Sequence, residues 1–248
     1  MIEIIIFSLL CSLFLCLHLI SRSKARQRLA ATTNLGIGQL TAVLDLIQHL
    51  QRHRGVCASL SSDNRMEQQQ LSHQIDQRWS PLQTNDYCGN PSRIRLQLQH
   101  WQTIKHQPEN SFMAHCELIE KLLHELTEIA DHCALTADNS PFDQDALWQN
   151  LIRRPHHAES LARLRGLGAK AARDGRCQAS VRVQLLYLLQ QMKSDPIANG
   201  KQLETEQLVS EQILQPAQIS IDPGFYFAQL TRLIDEQIQM TRLHLQQL

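Results

Sequence analysis

Leu50-Gln51-Arg52-His53-Arg54-Gly55-Val56-Cys57-Ala58 is the first of two copies of one pattern in this chain. The second copy is Leu161-Ala162-Arg163-Leu164-Arg165-Gly166-Leu167-Gly168-Ala169. Both copies read Leu-x-Arg-x-Arg-Gly-aliphatic-x-Ala, and we call them motif 1 and motif 2. Apolar residues surround each copy at the three- and four-residue spacing of an amphipathic helix. Both motifs are therefore predicted to lie on helices.

The last arginine of each motif falls on the apolar stripe of its helix. Arg54 shares a face with Leu50 and Ala58, and Arg165 occupies the equivalent position in motif 2. A guanidinium keeps its proton, so a buried arginine needs a partner. Neither arginine has an Asp or Glu three or four residues away, where a partner on the same helix would lie. The partner must come from another helix or from a ligand.

Two interpretations of these arginines are open. Arg54 and Arg165 could together hold a small planar anion, because the guanidinium fork matches such a group. Alternatively, each pairs with a distant carboxylate, or reaches the surface with its stem packed on apolar groups. Arg52 and Arg163 lie about 200° around the helix from these positions, and we expect them to point elsewhere.

The composition is that of an all-α protein without an excess of charge. Leu and Gln dominate, only 5% of residues are aromatic, and only nine of 248 are Gly, which is typical of helical proteins. The formal net charge is zero, which argues against nucleic acid as a partner. The five cysteines after residue 21 have irregular spacing and no CxxC, which favours reduced thiols over a disulfide framework.

Residues 4–20 form a nearly continuous apolar run. Seventeen helical residues extend about 25 Å, the lower limit for spanning a bilayer. A cleaved signal peptide is the alternative, but Glu3 precedes the run where positive charge would be needed. We therefore predict an uncleaved transmembrane anchor over residues 1–21, through which the protein contacts the membrane.

A basic juxtamembrane linker over residues 22–33 follows the predicted anchor. It begins with four positive charges, Arg22, Lys24, Arg26 and Arg28. Positive charge stays on the cytoplasmic side of a membrane. The expected localisation is thus a single pass through the inner membrane, with the C-terminal domain in the cytoplasm.

Eight further helices are predicted between residue 34 and residue 248, and no stretch alternates with the period of a strand. Segments rich in Asn, Asp, Ser, Gly and Pro separate them. Pro155 is expected to kink or interrupt the fifth helix. The predicted helices cover about 34–60, 65–83, 92–106, 112–134, 143–176, 180–192, 204–214 and 224–248.

Metal binding and catalysis receive no support from the sequence motifs. The pairs His115-Cys116, His132-Cys133 and His156-His157 lack the i,i+4 spacing of helical metal sites, so no metal site and no cofactor are predicted. The chain has no glycine-rich phosphate loop and no recognisable nucleophile arrangement. We therefore predict no catalytic residues and no enzyme activity.

Arg232 lies in the last predicted helix, three residues before Asp235 and four before Glu236. This spacing suits a solvated salt bridge on one helix. The alternative is that Arg232 supplies a third guanidinium to a site formed by the two motifs.

Four stretches resemble the NIT domain, the bacterial nitrate- and nitrite-sensing helical domain. Residues 50–58 are similar to its Leu-Gln-x-Glu-Arg-Gly stretch, with His53 in place of the glutamate. Residues 112–123, Phe-Met-Ala-His-Cys-Glu-Leu-Ile-Glu-Lys-Leu-Leu, resemble its aromatic-rich start of a Leu-Ile-x-x-Leu-Leu helix. Residues 159–175 resemble the arginine-centred helix of its second half, and residues 226–235 resemble its closing helix. Together these similarities cover about residues 34–248.

The resemblance implies two antiparallel helical bundles side by side, about 34–135 and 140–248, with nitrate or nitrite held between them. The implied ligand-binding residues are Arg54, Arg165, Arg52 and Arg232. The family usually joins this domain to an RNA-binding antiterminator domain, a histidine kinase or a chemoreceptor signalling region. This sequence shows no such module, so we expect a separate, unidentified signalling partner, and a homodimer is left open.

The alternative function is a helical scaffold or adaptor of the same fold that binds another protein and no small molecule. The surroundings of Arg54 and Arg165 separate the two functions. Carboxylates within hydrogen-bonding reach of both arginines would favour the scaffold, whereas an empty pocket lined by their guanidinium groups would favour the sensor.

Overall fold

In a computed structural model, the described part of the chain is almost entirely helical. The structure describes residues 2–58, 65–84, 86–108, 111–137, 140–194 and 200–248, with the side chains of residues 2–12, 200 and 202 excepted. No strand occurs within these ranges. The prediction of an all-α fold is confirmed.

The helices follow the predicted order, with two short π-helical segments in addition. The α-helices are α1 Ile2–Ala58, α2 Arg65–Arg78, α3 Pro91–His106, α4 Phe112–His132, α5 Gln144–Leu147, α6 Arg154–Arg173, α7 Ala179–Lys193, α8 Gly200–Val209 and α9 Pro223–Gln247. A 3-10 turn, Ser80–Gln83, follows α2. The π-helical segments are Trp148–Arg153, between α5 and α6, and Ser210–Leu214, after α8.

Helix α1 is longer than the sequence pattern indicated, because the anchor region, the basic linker and motif 1 form one helix. Residues 22–33 are mostly Arg, Gln, Leu and Ala, which favour helix, so nothing in the linker breaks it. Among the described residues, no helix is both long and apolar enough to cross a membrane. The predicted anchor includes residues 1–12, whose side chains lie outside the described part. The predicted break at 61–64 lies outside it too, as do residues 195–199 of the polar linker predicted over 193–200.

Capping side chains fix where several helices begin. Asn90 accepts hydrogen bonds from the backbone N–H groups at the start of α3, and Asp222 does the same for α9. In both cases a proline follows the cap, where its missing N–H costs nothing. With these caps, α3 and α9 each start one residue before the predicted positions of about 92 and 224.

Pro155 changes the helix around it rather than ending it. The π-helical segment Trp148–Arg153 lies directly before it, and the backbone N–H of Arg154 donates to the carbonyl of Gln149, five residues earlier. A wider turn at this point makes room for the proline ring, which would otherwise meet the carbonyl four residues before it. The chain then continues into α6, so the expected interruption takes the form of a π-helical segment.

The buried apolar residues form two clusters. The first is built mainly from α1, α2, α3 and α4, and the second from α6, α7, α9 and the segment Ser210–Leu214. Leu147, Leu151 and Leu245 belong to the first cluster although they lie late in the chain. Helix α9 therefore contributes to both clusters. Helix α1 packs on α6 and α9, which brings motif 1 next to motif 2.

Candidate functional site

Arg54 of motif 1 is fully buried and bound to a carboxylate from motif 2's helix. Its Nη1 and Nη2 donate to Oε1 and Oε2 of Glu159 at 2.5 and 2.9 Å. The partner that its own helix lacks is thus supplied by α6. Burial alone would lower the pKa of Arg54, but the Glu159 carboxylate outweighs that effect and raises the pKa above its usual value. Arg54 is therefore half of a closed ion pair.

Glu159 has no capacity left for another cation. Besides Arg54, it accepts a hydrogen bond from Nε of Arg163 at 2.7 Å and one from Nε2 of Gln51 at 3.1 Å. Burial alone would raise the pKa of Glu159, and the neighbouring Arg54 and Arg163 instead lower it. Among the described residues, Nε of Arg54 and Oε1 of Gln51 are the atoms of this cluster without a hydrogen-bond partner, and the bonds to Glu159 hold α1 and α6 together.

Arg165 of motif 2 is equally buried but has no carboxylate partner. Its Nη1 donates to Oγ1 of Thr231, and its Nη2 donates to the backbone carbonyl of Gln51, both at 2.9 Å. Within the described part of the chain its Nε has no hydrogen-bond partner, and no carboxylate lies within ion-pairing distance. Burial, together with the positive charge of Arg54, lowers the pKa of Arg165 to about 9. The positive charge of Arg165 is therefore unfavourable for the stability of the fold in this position.

The difference between the two arginines can be traced to one position of the repeat. Glu159, the partner of Arg54, lies two residues before the first leucine of motif 2. The residue two before the first leucine of motif 1 is Gln48, a neutral amide. Gln48 donates to Asp235 and accepts from Arg242 rather than contacting Arg165. Motif 1 therefore offers no carboxylate to Arg165 in return.

A phenylalanine covers each motif arginine, and the glycine of the opposite motif makes room for it. The guanidinium of Arg54 lies 5.3 Å from the ring centre of Phe112, and that of Arg165 lies 4.4 Å from the ring centre of Phe227. A Cβ on Gly166 would come within 2.8 Å of the Phe112 ring. A Cβ on Gly55 would come within 2.7 Å of the Phe227 ring.

This arrangement explains why both motifs contain an Arg-Gly pair. Each glycine lets the ring approach the backbone closely, and each ring then stacks on the arginine of the other motif. The phenylalanines come from α4 and α9, so the four helices meet at the two motifs.

Arg165 faces a cavity of about 330 Å³ that Arg52 also lines. The side chain of Arg52 is less than half exposed, and its Nη2 lies 3.4 Å from Oδ1 of Asp235, a long contact. Thr231 and Phe227 also line the cavity, and Glu67 is its only acidic lining residue among the described side chains. One arginine from each motif therefore faces this space, and the pair is Arg52 and Arg165 rather than Arg54 and Arg165.

Arg232 lies away from this cavity. Its side chain is exposed, and it does not line the cavity that Arg52 and Arg165 share. The expected salt bridge on its own helix is wrong as well, because Asp235 pairs with Arg52 and Glu236 pairs with Lys201 at 2.5 Å. We therefore leave Arg232 out of the site.

A larger cavity, of about 770 Å³, is lined by Glu159 of the Arg54–Glu159 pair. Glu117 and Glu120 bring its lining carboxylates to three, against two permanent cations, Lys121 and Arg163, and two histidines, His156 and His157. This balance disfavours an anion, and Glu159 is already fully paired. The smaller cavity is the better anion site by its charge.

The sequence prediction missed a buried cluster of metal-ligating side chains. His53 and Cys57 of α1 and His115 of α4 place their ligand atoms within 4.8 Å of one another, and all three side chains are buried. Burial lowers the pKa of His53 to about 4 and that of His115 to about 3, and it raises the pKa of Cys57 to about 12. All three side chains are thus neutral at pH 7.

The sequence did contain a signal for this cluster. His53 and Cys57 have the i,i+4 spacing that places two ligands on one helical face. The prediction of no metal site considered only adjacent His and Cys residues, and this pair is separated by three others. The third ligand, His115, comes from another helix and could not be paired with them from spacing.

Comparison of the chain with family models, with curated proteins and with solved structures gave no match.

Proposed function

We propose that this protein is a membrane-anchored sensor of the NIT type, with two helical bundles, that binds nitrate or nitrite in the cavity between Arg165 and Arg52. The observation that carries the proposal is Arg165, a buried guanidinium without a carboxylate partner that faces an open space. A small anion there would supply the missing countercharge. Arg54 does not contact the anion in this proposal, since Glu159 occupies both its Nη groups.

The donor groups that remain free suit a small planar anion. A guanidinium carries five N–H donors, and the hydrogen bonds to Thr231 and Gln51 use two of those on Arg165. The unpaired Nε is among the free ones. Phe227 covers one face of the guanidinium, so a ligand reaches it along the donor edge, where a planar oxyanion can accept two parallel hydrogen bonds.

The net charge of the cavity favours a monoanion. Its charged lining residues are Arg52, Arg165 and Glu67, and Asp235 pairs with Arg52 at 3.4 Å from outside the lining, so of the two arginines it is Arg165 that lacks a carboxylate within ion-pairing distance. Nitrate and nitrite each carry one negative charge, so either would supply one countercharge to Arg165. A dianion such as sulfate would leave an excess negative charge in a partly buried space, which is unfavourable. We therefore expect nitrate or nitrite to bind more tightly than sulfate.

Nitrate should stabilise the folded protein if it binds only the native state. At a concentration one hundred times its dissociation constant, it should add about 2.7 kcal/mol to the free energy of unfolding. For a chain of this size that corresponds to a rise in Tm of about 5–10 °C. Arg165→Leu should abolish this rise, and Arg165→Lys should lose most of it, since an ammonium lacks the planar fork. Thermal melts of the full-length protein with nitrate, nitrite, sulfate and chloride measure the effect.

Arg232→Leu is the matched control, because it removes an exposed arginine one residue from Thr231 without touching the cavity. It should retain the full nitrate response. Without nitrate, Arg165→Leu should be at least as stable as the parent, because it removes a buried charge that lacks a countercharge. A parent protein whose Tm is the same with and without nitrate and nitrite would end the proposal.

The second candidate function, a helical scaffold that binds another protein, is favoured by the Arg54–Glu159 pair. That pair is closed and fixes two helices without any ligand. On this reading Arg165 is a structural residue, held by Thr231, Gln51 and Phe227. Arg165→Leu would then lower stability, and nitrate would have no effect on the parent. The same melts therefore separate the two functions.

The proposal includes a membrane anchor at the start of α1. The side chains of Leu13, Phe14, Leu15, Leu17, Leu19 and Ile20 are each more than half exposed, which is costly in water. Because α1 continues without a break into motif 1, the anchor and the anion cavity share one helix. Signalling to a partner would need two states with different affinity for the anion.

The orientation of the anchor can be tested directly. Four basic residues follow the apolar run, so the C-terminal domain is expected in the cytoplasm. A reporter that works only in the cytoplasm, fused after Leu248, should be active, and an export-dependent reporter at the same point should be silent. The opposite pattern would reverse the orientation, and release of both fusions by a salt wash would contradict anchoring.

A further inference from the structure

The side chains of His53, His115 and Cys57 form a second potential site, separate from the anion cavity. Nδ1 of His53 lies 2.8 Å from Nε2 of His115, and Sγ of Cys57 lies 3.6 Å from the same Nδ1. Trp101 meets His53 edge-on, with ring centres 5.1 Å apart. The two histidines are fully buried and the cysteine nearly so, so water is excluded from the cluster.

The surrounding hydrogen bonds fix the protonated nitrogen of His115 and leave two choices for His53. Nδ1 of His115 lies 2.8 Å from the carbonyl of Ser111, which can only accept, so this nitrogen donates and Nε2 has a free lone pair. The hydroxyl of Ser72 lies 2.9 Å from the carbonyl of Gln68 and 3.0 Å from Nε2 of His53. If it donates to Gln68, its oxygen accepts from Nε2 of His53 and the lone pair of His53 is on Nδ1; if it donates to Nε2, Nδ1 carries the proton.

In the metal-free protein, the 2.8 Å contact is an ordinary hydrogen bond from Nδ1 of His53 to Nε2 of His115 when the Ser72 hydroxyl donates to Nε2 of His53. When that hydroxyl turns to the carbonyl of Gln68, the proton of His53 moves to Nε2 and both imidazoles present a lone pair to the space between them. The cluster can therefore offer two neutral imidazole ligands to a cation without gaining or losing a proton on either ring.

We propose that His53, His115 and Cys57 bind a Cu(I) ion in a three-coordinate site. The ion takes the two imidazole lone pairs and displaces the proton of the Cys57 thiol, which leaves to solvent as the copper–sulfur bond forms. Copper remains Cu(I) throughout, so no oxidant or reductant is needed. The product is neutral, because the charge of the ion balances that of the thiolate.

Neutrality and ligand number favour Cu(I) over Zn(II). Thiolate and imidazole ligands suit either metal. Zinc almost always takes four ligands in closed protein sites, whereas the described residues supply three here. Zinc with one thiolate would also leave a net positive charge in an apolar interior, which is costly.

The observed distances need one small adjustment. For metal–nitrogen bonds of about 2.0 Å, two nitrogens in a trigonal site stand about 3.5 Å apart, so the histidines must separate by about 0.7 Å from their 2.8 Å contact. The sulfur–nitrogen distance of 3.6 Å already fits such a site. Outer hydrogen bonds of the kind that orient metal-bound histidines are in place, from His115 to Ser111 and from His53 to Ser72.

The experiment is an anaerobic titration of the full-length protein with Cu(I), in competition with a coloured Cu(I) chelator of known affinity. We expect one ion per chain and an X-ray absorption spectrum with two nitrogen ligands and one sulfur ligand. Cys57→Ser should weaken binding by more than about 100-fold. Ser72→Ala, which leaves all three ligands in place, should weaken it by about 10–100-fold, the range for loss of an outer hydrogen bond.

Cys116→Ser is the matched control, because Cys116 is also buried and adjoins His115 but its Sγ accepts from Nη1 of Arg54 instead. It should keep the parent's affinity. Circular dichroism of each variant verifies that helix content is retained, so that a loss of binding reports the ligand and not the fold. Unchanged affinity in folded Cys57→Ser would overturn the proposal. So would a parent that binds Zn(II) with four ligands and does not bind Cu(I).

Discussion

Replacing Arg54 by leucine is expected to lower the free energy of unfolding by about 3–5 kcal/mol, the range for removing one partner of a buried ion pair. The variant leaves the Glu159 carboxylate buried next to an apolar side chain. Arg163 and Gln51 still bind that carboxylate, so the loss should fall near the lower end of the range. Urea denaturation of the two proteins measures the difference.

The double variant Arg54→Leu, Glu159→Leu tests whether the loss comes from the stranded carboxylate. Removing both charges from a buried pair is often close to neutral, and Arg163 keeps a second partner in Glu120 at 3.0 Å. The double variant should therefore recover most of the lost stability. Arg232→Leu, at an exposed position, should change stability by less than about 0.5 kcal/mol. A folded Arg54→Leu as stable as the parent would show that the pair does not form.

Replacing Trp101 by alanine is expected to cost about 3–5 kcal/mol, as for other large core residues. Trp101 is fully buried between α1, α2 and α4, and its Nε1 donates to Oδ1 of Asp76 at 2.8 Å. The loss combines a cavity with a weakened polar contact. Trp101→Phe fills most of the cavity and should cost less.

Trp148→Ala is the natural comparison for Trp101→Ala. The side chain of Trp148 is 50% exposed, so its removal should cost less than about 0.5 kcal/mol. Chemical denaturation of the two alanine variants measures the contrast. Similar losses in both would contradict the placement of Trp101 in the first apolar cluster.

The order of the helices could be predicted from the sequence because it depends on local patterns. Apolar spacing marks the helix faces, and Asn90 and Asp222 mark two starts through short-range hydrogen bonds. Local composition also explains the main error in helix length. The linker over residues 22–33 was separated on its charge, but its residues favour helix and α1 runs through it.

The surroundings of the motif arginines could be predicted only in part, because they depend on how helices face one another. The absence of a local partner for Arg54 correctly indicated that its partner comes from outside its own helix, although a ligand was left open as the source. That this partner is Glu159 depends on the rotation of α6 relative to α1, which the residue spacing does not specify. For the same reason Arg52, predicted to point away, shares a cavity with Arg165.

Helix α9 has one end at the cavity that Arg52 and Arg165 line and the other in the first apolar cluster. Phe227 stacks on Arg165 near its start, and Leu245 packs among residues of the first cluster near its end. Eighteen residues of helix span about 27 Å. A tilt of about 5° around Phe227 would displace Leu245 by about 2 Å, similar to the helix shifts that switch subunit interfaces. A ligand that moved the Phe227 ring slightly would therefore produce a larger displacement at Leu245, at the other end of α9.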